Sequence, residues 1–154
     1  MLDEFKELLS ILNAKSVRYL VVGGHAVSLH AQPRTTKDID ILIAVDPENA
    51  ERVYAALTEF GAPLAGLKPA DFAEYGKFFR MGHAPLAVDI LPQIDGMSFE
   101  QAWPNRTEAV VDDESGLKAF FISRADLITN KLAAGRPQDI ADVAALRAAS
   151  ENKK

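Results

Sequence analysis

The sequence predicts an α+β fold. Apolar spacing switches between helical and strand periods along the chain, two strand-like runs flank the turn-like "GHAP", and two helical segments with start and stop signals close the sequence. At 154 residues and 48% hydrophobic content, the chain can build one real core but not two comfortable ones. Residues 1–149 therefore read as a single domain, with 122–149 as a C-terminal helical pair and 150–154 as a charged tail.

Each element has its own signal. "LDEFKELLSILNA" places Leu2, Phe5, Leu8, Leu9 and Leu12 at helical spacing, predicting a helix over about residues 2–14. "VRYLVVGG" reads as a buried strand ending at Gly23 and Gly24, "HAVSLHA" as a short helix stopped near Pro33, and "DIDILIAV" as the next strand. Asp46 caps a helix with Pro47 in its first turn, running to Gly61. The stretch "GAPLAGLKPADFAEYG" reads as loop with one helical turn, and "KFFRMG" with "LAVDILP" as a hairpin. Ser98 with Gln101 forms a capping box for a short helix, and "EAVVDD" and "KAFFI" are short strands. Ser123 with Asp126 repeats the capping signature, Gly135 stops that helix, and Pro137 opens the last one.

Composition narrows the function. Seventeen Lys and Arg against 22 Asp and Glu give a net charge of −5, so the chain lacks the broad basic surface that grips nucleic acid, and such a substrate would need a local patch. With no cysteine there is no disulfide framework, thiol nucleophile or Cys-ligated zinc. The opening "MLDEFKELL" is acidic where a secretion signal is basic, and no apolar run approaches the roughly 20 residues of a membrane span. The expectation is a soluble cytoplasmic protein with no membrane partner.

The chemistry concentrates at "KDID". Aspartate is a poor strand former, yet Asp38 and Asp40 head an apolar strand. Residues two apart on a strand share a face, so both carboxylates project together while Ile39 and Ile41 turn into the core. Two adjacent carboxylates repel unless a positive charge sits with them, and Mg²⁺ or Mn²⁺ suits such a pair, completing its shell with water and phosphate oxygens. Upstream, a strand that ends in Gly23–Gly24 and turns into a helix lets backbone N–H groups approach a phosphate. Asp89 interrupts the apolar "LAVDILP", where an unpaired charge is rarely tolerated. If its strand lies beside Asp38 and Asp40, it joins them, and three carboxylates can hold two metals roughly 4 Å apart. The competing reading pairs Asp89 with Arg80 across the hairpin.

The run "VVGGHAVSLHAQPRTTKDIDI", with the later "VDIL", resembles the signature of the DNA polymerase β-like nucleotidyltransferase superfamily. More narrowly it resembles the small bacterial and archaeal branch related to abortive-infection toxin-antitoxin nucleotidyltransferases, a likeness that "KLAAGRPQDIADVAAL" shares. The resemblance implies a nucleotidyltransferase fold with a mixed sheet flanked by helices, and Mg²⁺-dependent transfer of NMP from an NTP to an acceptor hydroxyl with release of pyrophosphate. It implies Gly23 and Gly24 as the phosphate turn, Asp38 and Asp40 as metal ligands, Asp89 as the third, acceptor-activating carboxylate, and Lys131 as a charge that neutralises developing pyrophosphate. Much of the superfamily has serine where this chain has Gly24, so a hydroxyl contact to phosphate is absent while the backbone contact survives.

Other residues carry two readings. Arg34, in the loop before the aspartates, reaches the triphosphate or faces water. His25 reads as a packed or capping residue. Lys131, Arg136 and Asp139 read as helix-end charges if they do not face the site. The acceptor is tRNA, protein or a small molecule, and so little chain remains beyond the core that a second subunit or a partner protein is a natural reader of it. The alternative function is a non-catalytic nucleotide- or partner-binding module, which would have no need for three repelling carboxylates. A dinucleotide-binding oxidoreductase is disfavoured because "VVGG" lacks the GxGxxG pattern and leaves "DID" unexplained.

Overall fold

The structure is a computed structural model that describes residues 1–33, 36–83 and 86–152. Helix α1 (Asp3–Ala14) leads into β1 (Tyr19–Val22), α2 (Gly23–His30), β2 (Asp38–Ile43) and α3 (Pro47–Phe60). A 3-10 turn at Pro69–Ala73 precedes β3 (Phe79–His83) and β4 (Leu86–Leu91). Then come α4 (Phe99–Ala102), β5 (Thr107–Asp112), β6 (Leu117–Phe121), α5 (Arg124–Ala134) and α6 (Pro137–Asn152). The strands form one six-stranded mixed sheet in the order β3-β4-β2-β1-β6-β5. The β1–β2, β3–β4 and β5–β6 pairs are antiparallel, and β2–β4 and β1–β6 are parallel. This is the α+β architecture the periodicities predict.

Local chemistry sets most boundaries. Asp46 accepts the Asn49 N–H at 2.9 Å to start α3, and Gly61 ends it at φ 90°, a left-handed conformation that glycine adopts at no steric cost. The Ser98–Gln101 box is reciprocal, with the Ser98 N–H donating to Gln101 Oε1 at 2.9 Å and the Gln101 N–H to Ser98 Oγ at 3.1 Å. The second capping signature is only half made. Ser123 Oγ accepts from Asp126 N–H at 3.1 Å, but the Asp126 carboxylate turns to Asn105 Nδ2 at 3.3 Å instead of reaching back.

Two boundaries differ from expectation. The first strand stops at Val22, and Gly23 and Gly24 form the opening turn of α2 rather than the strand's end. The last helix runs to Asn152, into the charged tail, because "ALRAASEN" offers good helix formers and no glycine or proline to stop it. Residues 84 and 85 of the expected turn at "GHAP" lie outside the described residues.

The core lies on the sheet. Leu8, Leu9 and Leu12 of α1, Leu20 of β1, Ile39, Ile41 and Leu42 of β2, Val53 and Leu57 of α3, and Ile90 of β4 are all essentially fully buried. Each such side chain contributes about 1.5–3 kcal/mol on burial, which anchors β2 and β4 as neighbours whatever their polar face carries. α1 packs on α3, and α2 on α5 and α6. Among the described residues no helix is long and apolar enough to cross a membrane.

Candidate active site

The antiparallel register of β1 and β2 sets Val22 opposite Asp40, so the chain turns into α2 directly against that carboxylate. Gly23 is required there twice over. Its φ is +65°, and a Cβ at this position would collide with Asp40 Oδ2. Val22, at the N-cap of α2, gives no side-chain cap, and the first turn carries no acidic residue. Neither Val22 nor a first-turn side chain therefore caps those backbone N–H groups, at the positive end of the helix dipole, and the carboxylate that lies against them is Asp40 of β2.

The parallel register of β2 and β4 completes the group. Asp40 stands opposite Asp89, and Asp38 opposite Ala87, so the three aspartates share one region of the polar face while Ile39, Ile41 and Ile90 are buried. On the far side of β4, Arg80 of β3 is opposite Asp89. Its Nη2 donates to Asp38 Oδ2 at 2.8 Å, and its Nε lies 3.3 Å from Asp89 Oδ1. Asp89 thus lies beside the other carboxylates and is paired with Arg80 across the hairpin. The Nε–Oδ1 approach is an ion pair without hydrogen-bond geometry, since buried Asp89 Oδ1 has no hydrogen-bond partner among the described residues.

Asp40 bears the electrostatic cost. Burial raises its carboxyl from the ordinary 3.8 to about 6, helped by the adjacent Asp89 charge, a hydrogen bond with that carboxyl, and Asp38, while Lys131 works in the opposite direction. At neutral pH the site thus holds excess negative charge that Arg80 only partly offsets. The donors are hard carboxylate oxygens, one of them an orphaned buried atom, and that chemistry fits a divalent cation such as Mg²⁺ or Mn²⁺. As the side chains stand, no group of three or more His, Asp or Glu residues among those described is spaced to hold one ion. The Arg80 guanidinium bridges Asp38 and Asp89, which is where such convergence would have to occur.

Lys131 is committed elsewhere. Its side chain is 9% exposed, and its Nζ lies 3.2 Å from Asp139 Oδ1 and 3.1 Å from Asp142 Oδ2, both nearly fully buried on α6. Arg136 Nε donates to Asp139 at 2.7 Å, and this bond, ahead of the Lys131 contact, holds the Asp139 carboxyl below the usual carboxylate range. Of the charges that carried a helix-end reading, Lys131 and Asp139 are instead buried with Asp142 between α5 and α6 while Arg136 stays exposed, and the Lys131 charge still acts on Asp40. The sequence carries a signal for Asp142, whose i, i+3 spacing from Asp139 puts both on one helix face. His25 packs edge to face on Phe5 at 5.7 Å, its ring pushed toward the neutral form by burial. Arg34 lies outside the described residues.

Among solved structures, the lincomycin-bound crystal structure of the lincosamide antibiotic adenylyltransferase LnuA superposes with a TM-score of 0.58 and 17% identity, covering 96% of each chain. At that identity the match shows a shared fold. No curated protein matches the chain. The family described as "Nucleotidyltransferase of unknown function (DUF6036)" matches residues 1–149, in agreement with the superfamily that "GG", "DID" and "VDIL" resemble, and this chain belongs to that family of nucleotidyltransferases.

Proposed function

We propose that the chain transfers NMP from an NTP to an acceptor hydroxyl, with Mg²⁺ or Mn²⁺ held by Asp38, Asp40 and Asp89. The observation that carries this reading is the double register that puts Asp40 against both Gly23 and Asp89, so an acidic face and an uncapped helix N-terminus meet at one point. When bound, the cation would neutralise triphosphate charge and lower the pKa of the acceptor hydroxyl. Gly23 and Gly24 present first-turn N–H groups to the phosphates, and Arg34 adds a bidentate contact. Asp89 orients the acceptor hydroxyl and takes its proton as the new P–O bond forms and the bond to pyrophosphate breaks. Lys131, through its charge near Asp40, offsets the negative charge that develops.

A small-molecule hydroxyl is the favoured acceptor. The net charge of −5 disfavours a polyanionic partner. The neighbour of similar length is an antibiotic adenylyltransferase bound to lincomycin, so a chain of this size has room for such a substrate. A tRNA acceptor would fit the toxin-like role that the resemblance implies, with a second subunit or partner protein reading it. This reading puts the protein where NTPs are plentiful, which for a cell's interior means the cytoplasm. The test incubates the protein with each labelled NTP, Mg²⁺, and separate pools of tRNA, protein extract and small-molecule hydroxyls including lincomycin. Label in the small-molecule pool, lost with chelator, supports the reading, and label in the tRNA pool moves it to the toxin-like role. If no pool is labelled at high enzyme concentration, the alternative of a nucleotide- or partner-binding module wins.

A further inference from the structure

We propose that Arg80 is the resident counter-ion of the carboxylate site, occupying the place between Asp38 and Asp89 from which a divalent cation must displace it. The inference rests on the metal-binding reading above and adds a residue that competes with the metal. Three observations carry it. The guanidinium reaches across two strand boundaries, from β3 past β4 to β2, to bridge carboxylates that otherwise only repel each other. Its service is incomplete, because Asp89 Oδ1 stays without a hydrogen bond among the described residues. Its side chain is also about half exposed, at 48%, so it can swing into solvent without leaving a core cavity.

The physical argument is one of geometry. A guanidinium is a planar fork whose donors must align with each oxygen, and one fork cannot align with three carboxylates on two strands. A small divalent ion carries twice the charge and accepts oxygens from several directions. Exchange is therefore favourable where the ion is available, but it is opposed by the pairs Arg80 already makes. Those pairs also offset the repulsion among the aspartates when no cation is present, which adds to stability. An ordinary surface ion pair would share the effect on stability but not the competition.

The test measures Mn²⁺ binding by calorimetry and by paramagnetic resonance of free Mn²⁺, with and without a nonhydrolysable NTP. The proteins are wild type, Arg80→Ala, Arg80→Lys and Asp40→Asn, each also melted in chelator. Arg80→Ala should bind Mn²⁺ alone about tenfold more tightly than wild type, in line with removal of one close competing charge. It should melt several degrees lower in chelator and regain that loss with Mn²⁺. Arg80→Lys, a point charge that cannot bridge both partners, should fall between them. Equal or weaker Mn²⁺ binding by Arg80→Ala, while Asp40→Asn abolishes binding, overturns the counter-ion role and leaves the metal site standing. If neither wild type nor Arg80→Ala binds Mn²⁺ with or without nucleotide, the metal reading fails and the counter-ion role fails with it.

Discussion

Replacing Asp40 with asparagine should make the metal-free protein more stable while destroying its site. The side chain keeps its shape and loses its charge. In the folded protein the Asp40 carboxyl titrates at about 6 against an ordinary 3.8, because it is buried beside Asp89 and Asp38. A difference of that size corresponds to about 3 kcal/mol, an upper bound on what ionised Asp40 costs. The sign follows from proton counting. Between pH 4 and 6 the folded state binds more protons than the unfolded one, so wild-type stability falls as pH rises through about 6 and then levels off. Asp40→Asn removes that fall. Urea or thermal unfolding in chelator should show the two proteins nearly equal around pH 4 and the variant higher above pH 7, by up to about 10 °C for a domain of this size. Saturating Mg²⁺ with a nonhydrolysable NTP should reverse the order, adding about 4.1 kcal/mol to wild type at a thousandfold excess over Kd and nothing to the variant. Parallel pH profiles, or a variant less stable at pH 8, would refute the claim that Asp40 is held against like charge.

Asp89→Asn should bind NTP and Mg²⁺ within a few-fold of wild type, because Asp38 and Asp40 keep the triphosphate's metal, yet lose at least about a hundredfold in transfer rate, read by label transfer beside calorimetry, because Asp89 acts mainly on the acceptor in the transition state. Gly23→Ala should cost at least about 1–2 kcal/mol in unfolding experiments and weaken NTP binding, since the new Cβ is forced into a left-handed φ and against Asp40. Lys131→Met should be worse, about 3–5 kcal/mol, by leaving Asp139 and Asp142 buried with too little positive charge, and adding Asp142→Leu should recover part of that loss. Arg136→Ala should weaken the protein's resistance to acid in unfolding curves. The Asp139 carboxyl, held low by Arg136, contributes stability that is present above its ordinary 3.8 and lost as pH falls through its lower folded value.

What could be read from the sequence follows the range of the interactions involved. Asp38 and Asp40 share a face because of the strand period alone, and the caps at Asp46 and Ser98 are contacts within three residues, so each was legible. The start of α2 at Gly23 was displaced by a local cause, the left-handed φ that ends the strand before the glycines. Adjacency of Asp89 to Asp40 followed from the resemblance and from the oddity of a charge in "LAVDILP", but the register that aligns them is set by burial of Ile39, Ile41 and Ile90, which no local pattern encodes. Arg80 was visible only as a partner for Asp89 across the hairpin. Its longer reach to Asp38 depends on β2 lying beyond β4. The burial of Lys131 with Asp139 and Asp142 depends on how α5 and α6 fold back on one another, and spacing within either helix cannot supply that.

The most direct test of the central claim is anomalous diffraction from crystals grown with Mn²⁺ and a nonhydrolysable NTP. Convergence of Asp38, Asp40 and Asp89 predicts a Mn²⁺ peak among their carboxylates, with Arg80 turned out toward solvent and the triphosphate against the first turn of α2 at Gly23 and Gly24. A nucleotide bound elsewhere, or Arg80 still bridging Asp38 and Asp89 with no Mn²⁺ peak beside Asp40, would contradict it.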